Sequence, residues 1–148
     1  MAETLEGLGW RVARRSLGEA PGRDVDAYVA DTLGELGLFY RLADVAVLGG
    51  SLVEGLTGHN PLEPARLGAP VITGPHHEAF AETYGDLLER KAVLIVRDDA
   101  ELKAGVASLL ADPRLAAALA QNGRAFAEAG REALEPAWAR LQPLLPPS

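Results

Sequence analysis

Cysteine is absent from the 148 residues. That removes disulfide scaffolds and thiolate metal sites, and it is compatible with a reducing cytoplasm. Histidine is scarce too, at three residues, so a zinc site would need carboxylates at unremarkable spacings, and we expect no metal. Aromatics make up 5% of a chain that is 48% apolar, so its core must be aliphatic, built from Leu, Val and Ala. No stretch approaches the roughly 20 uninterrupted apolar residues of a membrane-spanning helix. Residues 1–9 carry Glu3 and Glu6 but no basic residue, unlike a secretory signal. Positive charge is in deficit, with a net charge of −7. A broad basic surface for nucleic acid or anionic lipid is therefore not expected. The cluster Arg11, Arg14 and Arg15 is too small for either role. Small molecules or proteins are the expected partners, and the length suits one domain, 1–148.

What is present is an alternation of strands and helices. Residues 10–15 and 25–29 are short strand candidates separated by a turn at Gly18, Pro21 and Gly22. A helix over 33–43 puts Leu33, Leu36, Tyr40 and Ala43 on one face. Val45–Leu48 is a continuous apolar run ending in two glycines, which suits a strand covered on both faces. A helix from Pro61 to about Gly68 precedes a strand at Val71–Thr73. A helix over 78–90 leads to a strand at 93–96. Asp98 or Asp99 caps a helix running to Ala111, and Asp112-Pro113 opens the next in N-cap, N1 register. A last helical segment, 132–145, aligns Leu134, Trp138, Leu141 and Leu145 despite Pro136. This order predicts an α/β fold with right-handed crossovers, a doubly wound Rossmann-like parallel sheet.

Ligands of such sheets bind beyond the carboxyl ends of the strands, and three junctions there are unusual. In Asp31-Thr32-Leu33-Gly34-Glu35, Thr32 and Glu35 have capping-box spacing, while Gly34 would let a ligand approach the backbone. Gly49-Gly50-Ser51 continues to Gly58-His59-Asn60-Pro61-Leu62-Glu63. It is neither a Walker loop nor a G-x-G-x-x-G fingerprint. There Asn60 and Glu63 either cap a helix, or the helix start faces a phosphate while Glu63 grips a vicinal diol such as a ribose. The third junction is Gly74-Pro75-His76-His77, whose adjacent histidines point in different directions. No Ser-His-Asp or paired-carboxylate arrangement is evident.

Taken in order, Asp-Thr-x-Gly-Glu-Leu at 31–36, Ala-Asp-x-Ala at 43–46, Gly-Gly-Ser-Leu-Val-Glu at 49–54, Gly-His-Asn-Pro-Leu-Glu at 58–63 and Gly-Pro-His at 74–76 resemble the Kdo transferases. These are GT-B glycosyltransferases that attach 3-deoxy-D-manno-octulosonic acid to a lipid A precursor in lipopolysaccharide synthesis. Arg15-Ser16 and Gly18-Glu19 fit as well, and the likeness runs from about Trp10 to Leu145. It implies a domain that binds the donor CMP-Kdo, without a separate cofactor. Gly34 and Glu35 would contact the nucleotide or its phosphate. Gly50, Ser51, Gly58, His59 and Asn60 would line the donor pocket, with Asn60 near the phosphate. Glu63 would hold the ribose and His76 the rim. The family's members associate with the cytoplasmic face of the inner membrane, which implies a cytoplasmic location.

The chain also departs from the family's pattern. The loop between Gly50 and His59 is one residue longer, Thr57 replaces a common glycine, and Ala79 stands where an asparagine usually precedes the phenylalanine. The acceptor domain with its general base, and the donor domain's first strand and helix with their Gly-Ser-Thr-His motif, are not in this sequence. The resemblance thus implies the partial, C-terminal half of a GT-B fold, holding no catalytic residue and inactive alone. Two alternatives stay open: a GT-B domain for another nucleotide sugar, and a non-catalytic binding or assembly module. Loss of a central strand predicts a homo-oligomer, or a rearranged sheet in which the 10–15 and 45–48 strands pair directly.

Overall fold

The computed structural model describes residues 1–144, and the side chains of all of these except 131–135 and 137. The chain divides into two compact units, Met1–Leu36 and Gly37–Ser148.

In the first unit, helix α1 (Ala2–Gly7) precedes strands β1 (Val12–Arg14) and β2 (Ala27–Val29). The strands pair in parallel, with Val12 opposite Ala27 and Arg14 opposite Val29. A helical turn at Arg15–Leu17 and an open loop connect them, where an α-helix would be usual. So small a unit buries little apolar surface, chiefly Ala2 and Ala13. Charge pairs knit it instead. Arg11 clasps Asp26 at 3.0 and 2.8 Å, Arg14 reaches Asp31, and Arg15 reaches Glu35.

In the second unit, helix α2 (Leu36–Leu42), which starts at the boundary, leads into strand β3 (Ala46–Leu48). Helix α3 (Leu62–Arg66), strand β4 (Val71–Thr73), helix α4 (Ala81–Glu89) and strand β5 (Leu94–Ile95) follow. Helices α5 (Asp99–Ala111) and α6 (Pro113–Leu141) come last. The sheet is parallel, in the order β3-β4-β5. Every residue of β4 is buried, because the strand is central and helices cover both its faces. Val71 packs with Tyr84 and Leu87 of α4, Ala92, Val93 and Phe126. Ile72 packs on the opposite face with Val96, Leu109 of α5 and Leu119 of α6. This is the doubly wound arrangement that the strand–helix alternation predicts.

Four expectations need correction. Two-sided burial holds for β4 but not for β3, where Val47 is 41% exposed at the end strand of the sheet. Helix α2 begins at Leu36 rather than at 33, and Leu33 is fully open to solvent. The positive φ of Gly34 and the capture of Glu35 by Arg15 hold the preceding residues out of the helix. The segment expected to start a separate last helix at 132 instead continues α6, which runs unbroken through Pro136. Gly130 is no stop there, since one glycine costs only about 1 kcal/mol against the alanine-rich run around it. Finally, β1 pairs with β2 and β3 with β4, so the suggested direct pairing of β1 with β3 is not formed among the described residues. Of the apolar stripe on α6, Trp138 and Leu141 are over half exposed. The Leu134 side chain and Leu145 lie outside the described residues. The caps fall where the sequence places them. Asp98 accepts from the Glu101 amide at 2.8 Å, and Asp112 from those of Arg114 and Leu115.

Candidate functional site

Strands β3 and β4 run parallel, so the loops that leave their carboxyl ends emerge on one edge. After β3 the chain makes a tight turn at Gly49–Ser51, and after β4 it turns at Gly74. The two turns are fused. The His76 amide donates to the Ser51 carbonyl at 3.0 Å, and the Gly74 amide donates to the Ser51 hydroxyl at 2.6 Å. Gly74 cannot be another residue here, since a Cβ would run into the Ser51 carbonyl and come within 2.8 Å of the Leu52 Cα. Gly58 is equally constrained. Its φ is +87°, and a Cβ would lie 2.9 Å from the His76 carbonyl oxygen and the His77 Cα. Gly50 is buried with the exposed His59 ring against it, in the space that a side chain would occupy. Thus Gly50, Gly58, His59 and His76 converge on one edge, and the half-buried His76 lies over Gly58.

Ser51 does not take the place expected of it. It is fully buried, and its hydroxyl donates to the Leu48 carbonyl while accepting from Thr73 Oγ1 at 2.8 Å and from Gly74. A hydroxyl with every bond committed does not reach a ligand, so Ser51 acts by fixing the two turns. Sequence reasoning missed its partner Thr73, and with it Tyr84 and His77, which extend the same cluster without touching Ser51. Thr73 and Tyr84 are fully buried, and the Tyr84 hydroxyl donates to the His59 carbonyl at 2.9 Å. His77 Nδ1 lies 3.0 Å from the Gly74 carbonyl, which fixes the proton on that nitrogen, and its ring stacks on Tyr84 at 4.5 Å. One signal was legible: a threonine closing a fully buried apolar run must find a hydroxyl or carbonyl partner.

At α3 the capping arrangement differs from the expected one. Pro61, not Asn60, is the N-cap, and the Asn60 Oδ1 accepts from the Leu62 amide at 3.0 Å. Pro61 and Pro64 carry no N–H, so the first turn offers a single open backbone donor, that of Glu63. The array of free helix amides expected to face a phosphate is therefore not there. The amides of Gly58, His59 and Asn60 in the preceding loop also lack a partner among the described residues. The Glu63 carboxylate does not reach back to Asn60. It is exposed and makes no hydrogen bond or ion pair among the described residues; burial first, and the Glu63 charge second, raise the pKa of the half-buried Tyr40 hydroxyl. Just beyond the second turn, residues Glu78 to Thr83 wall an open depression of about 390 Å³.

Gly34 and Glu35 belong to the first unit. Gly34 has φ +88° and open space around it. Glu35 accepts from Arg15 at 2.8 and 2.6 Å and from the Thr32 hydroxyl at 2.7 Å. Arg15 first, and Thr32 second, pull its carboxyl down to about 2. Asp31 is depressed further, by Arg14 and by the hydroxyl and amide of Ser16. Thr32 therefore serves a carboxylate and not a helix amide. With the Glu35 carboxylate occupied, this segment has its backbone to offer a ligand. Among the described residues no three His, Asp or Glu side chains gather as metal ligands. Among the described residues no helix is long and apolar enough to cross a membrane.

Residues 22–126 match the family described as glycosyl transferases group 1. The 3-deoxy-D-manno-octulosonic acid transferase of Haemophilus influenzae (strain Rd) is 37% identical, over 99% of this chain and 34% of its own length. That of Bordetella pertussis is 37% identical over 86% of this chain and 30% of its own. The probable mitochondrial enzyme of that name in Arabidopsis thaliana is 40% identical over 78% and 26%. The chain thus spans about a third or less of these relatives. Among solved structures, the C-terminal CMP-Kdo binding domain of WaaA from Acinetobacter baumannii matches with a TM-score of 0.79 and 34% identity. That match covers 82% of this chain and 63% of that one. It joins the parallel α/β architecture to the C-terminal half of a GT-B fold. With the fold, the relatives and a family match across most of its length in agreement, the chain belongs to the glycosyl transferases group 1 family.

Proposed function

We propose that this chain is the donor-binding portion of a Kdo transferase, taking CMP-Kdo at the carboxyl ends of β3 and β4. The observation that carries this reading is the convergence of Gly50, Gly58, His59 and His76 on the loop that leads into α3, whose first turn carries an exposed Glu63, in a chain matching a CMP-Kdo binding domain. The roles are those the resemblance implies, supported by the exposure of Glu63 and the open loop amides. Glu63, exposed and unpaired, accepts from two vicinal ribose hydroxyls. The open amides of Gly58, His59 and Asn60 face the phosphate and stabilise it as CMP departs. His59 and His76 line the donor. The lipid A precursor and the general base belong to a separate domain of such an enzyme. The reading places the protein in the cytoplasm, at the inner face of the membrane, and favours a homo-oligomer. Light scattering that returns a monomer removes the last point.

Calorimetry on the chain tests the assignment. CMP should bind more tightly than UDP; measurable binding of UDP without CMP would overturn the donor. Ala79, which opens the α4 approach and replaces the family's asparagine, favours the second reading, another nucleotide sugar on the same site.

A further inference from the structure

The loop Gly58–Asn60 has no backbone–backbone hydrogen bond among the described residues. Its His59 carbonyl is nevertheless held at 2.9 Å by the Tyr84 hydroxyl, which arrives from α4, 25 residues away. Around Tyr84 the contacts are rigid. The side chain is fully buried, its ring stacks on His77, and its oxygen lies 3.3 Å from Thr73 Oγ1. Thr73 in turn donates to Ser51, which ties together the turns after β3 and β4. One buried hydroxyl therefore adds a hydrogen bond from a pair of locked turns to a loop that otherwise meets them through the packing of Gly58 on His76 and His77 and of His59 on Gly50.

We infer that Tyr84 is a positioning residue for donor binding: by holding the His59 carbonyl it sets where His59 and Asn60 present themselves to the nucleotide. The inference rests on the donor-site reading above. Tyr84 touches no ligand, and its effect passes wholly through the loop. Burial raises its pKa, so the hydroxyl remains a donor across the physiological range.

The test is Tyr84→Phe in the full chain, which keeps the ring, the core packing and the stack on His77. Leu109→Val is the comparison, a loss of packing on the opposite face of β4. Two quantities are measured: the Kd for CMP by calorimetry, and hydrogen exchange of the Leu62 and Ala79 amides, which are bonded to the loop and its flank. Tyr84→Phe should raise the Kd roughly three- to tenfold, the equivalent of one net hydrogen bond. It should also speed exchange at Leu62, whose amide donates to Asn60 Oδ1, and at Ala79, whose amide donates to the Thr57 carbonyl, while Leu109→Val lowers the melting temperature and leaves both readouts alone. Wild-type affinity in Tyr84→Phe, or an equal loss in Leu109→Val, overturns the inference. If the unaltered chain binds no CMP, the donor-site reading fails by itself. The exchange measurement then still decides whether Tyr84 holds the loop.

Discussion

Glu63 stands on the first turn of a five-residue helix with its carboxylate free of hydrogen bonds and ion pairs among the described residues. A side chain that does nothing for the fold can be changed without cost to it. Glu63→Gln should therefore leave the melting temperature within a degree or so, while CMP affinity falls roughly tenfold to a hundredfold. The basis is that hydrogen bonds to a charged group contribute about 1.5–3 kcal/mol. Calorimetry and thermal denaturation on the same samples check this, and a lowered melting temperature with unchanged affinity would return Glu63 to the role of a cap. Ser51 is the opposite case. Its sequence context in a glycine pair suggested a ligand contact, and burial assigns it to the scaffold. Nothing in the order of residues distinguishes the two, because which hydroxyl points inward is decided by the turn that follows.

At the scale of the element, the site is made of turns whose backbones touch. Gly58→Ala places a Cβ 2.9 Å from the backbone of His76 and His77 at a φ of +87°. The left-handed conformation alone costs an L-residue about 1–2 kcal/mol, and here backbone must also move. The variant should lose at least that much stability in urea denaturation and should bind CMP weakly. A fully stable Gly58→Ala would mean that the loop is looser than its contacts imply. Much at this level was legible in advance. Val71–Thr73 is a strand over the expected residues, and Asp98 and Asp112 cap where capping chemistry puts them. The misses share a physical cause. The start of α2 was misplaced because Thr32 and Glu35 have cap spacing, yet Arg15, 20 residues away, outcompetes the helix amides for Glu35. Long-range ion pairs leave no local trace in a sequence. For the same reason Tyr84, lying on an ordinary helix, gave no sign of its link to His59.

For the whole molecule, the two units are held by different forces, and acid should separate them. In Met1–Leu36 the Asp26, Asp31 and Glu35 carboxyls are all depressed by arginine partners, Asp26 and Glu35 to about 2. Groups with lowered folded pKa contribute stability above their ordinary values, near 4, and lose it as pH falls through the folded pKa. The second unit rests on an aliphatic core around β4 that protons do not touch. Amide signals of the first unit should therefore broaden or collapse between about pH 4.5 and pH 2, while those of β4 and α5 persist. Loss of both units in one transition, or of the second unit first, would contradict this division. Added salt should weaken the first unit in the same selective way, because its pairs are exposed.

The hydroxyl network at the strand edge has a further consequence, in time. Its bonds join residues 22, 23 and 25 positions apart, whereas α5 and α6 form from neighbours in sequence. Contacts that close long loops form late, since chain entropy is lost before they give any return. During refolding the ellipticity of the helices should recover first, and competence to bind nucleotide should lag behind it. Stopped-flow circular dichroism run beside a fluorescent-nucleotide capture assay would resolve the two phases, and their coincidence would place Tyr84 and Ser51 in the folding nucleus.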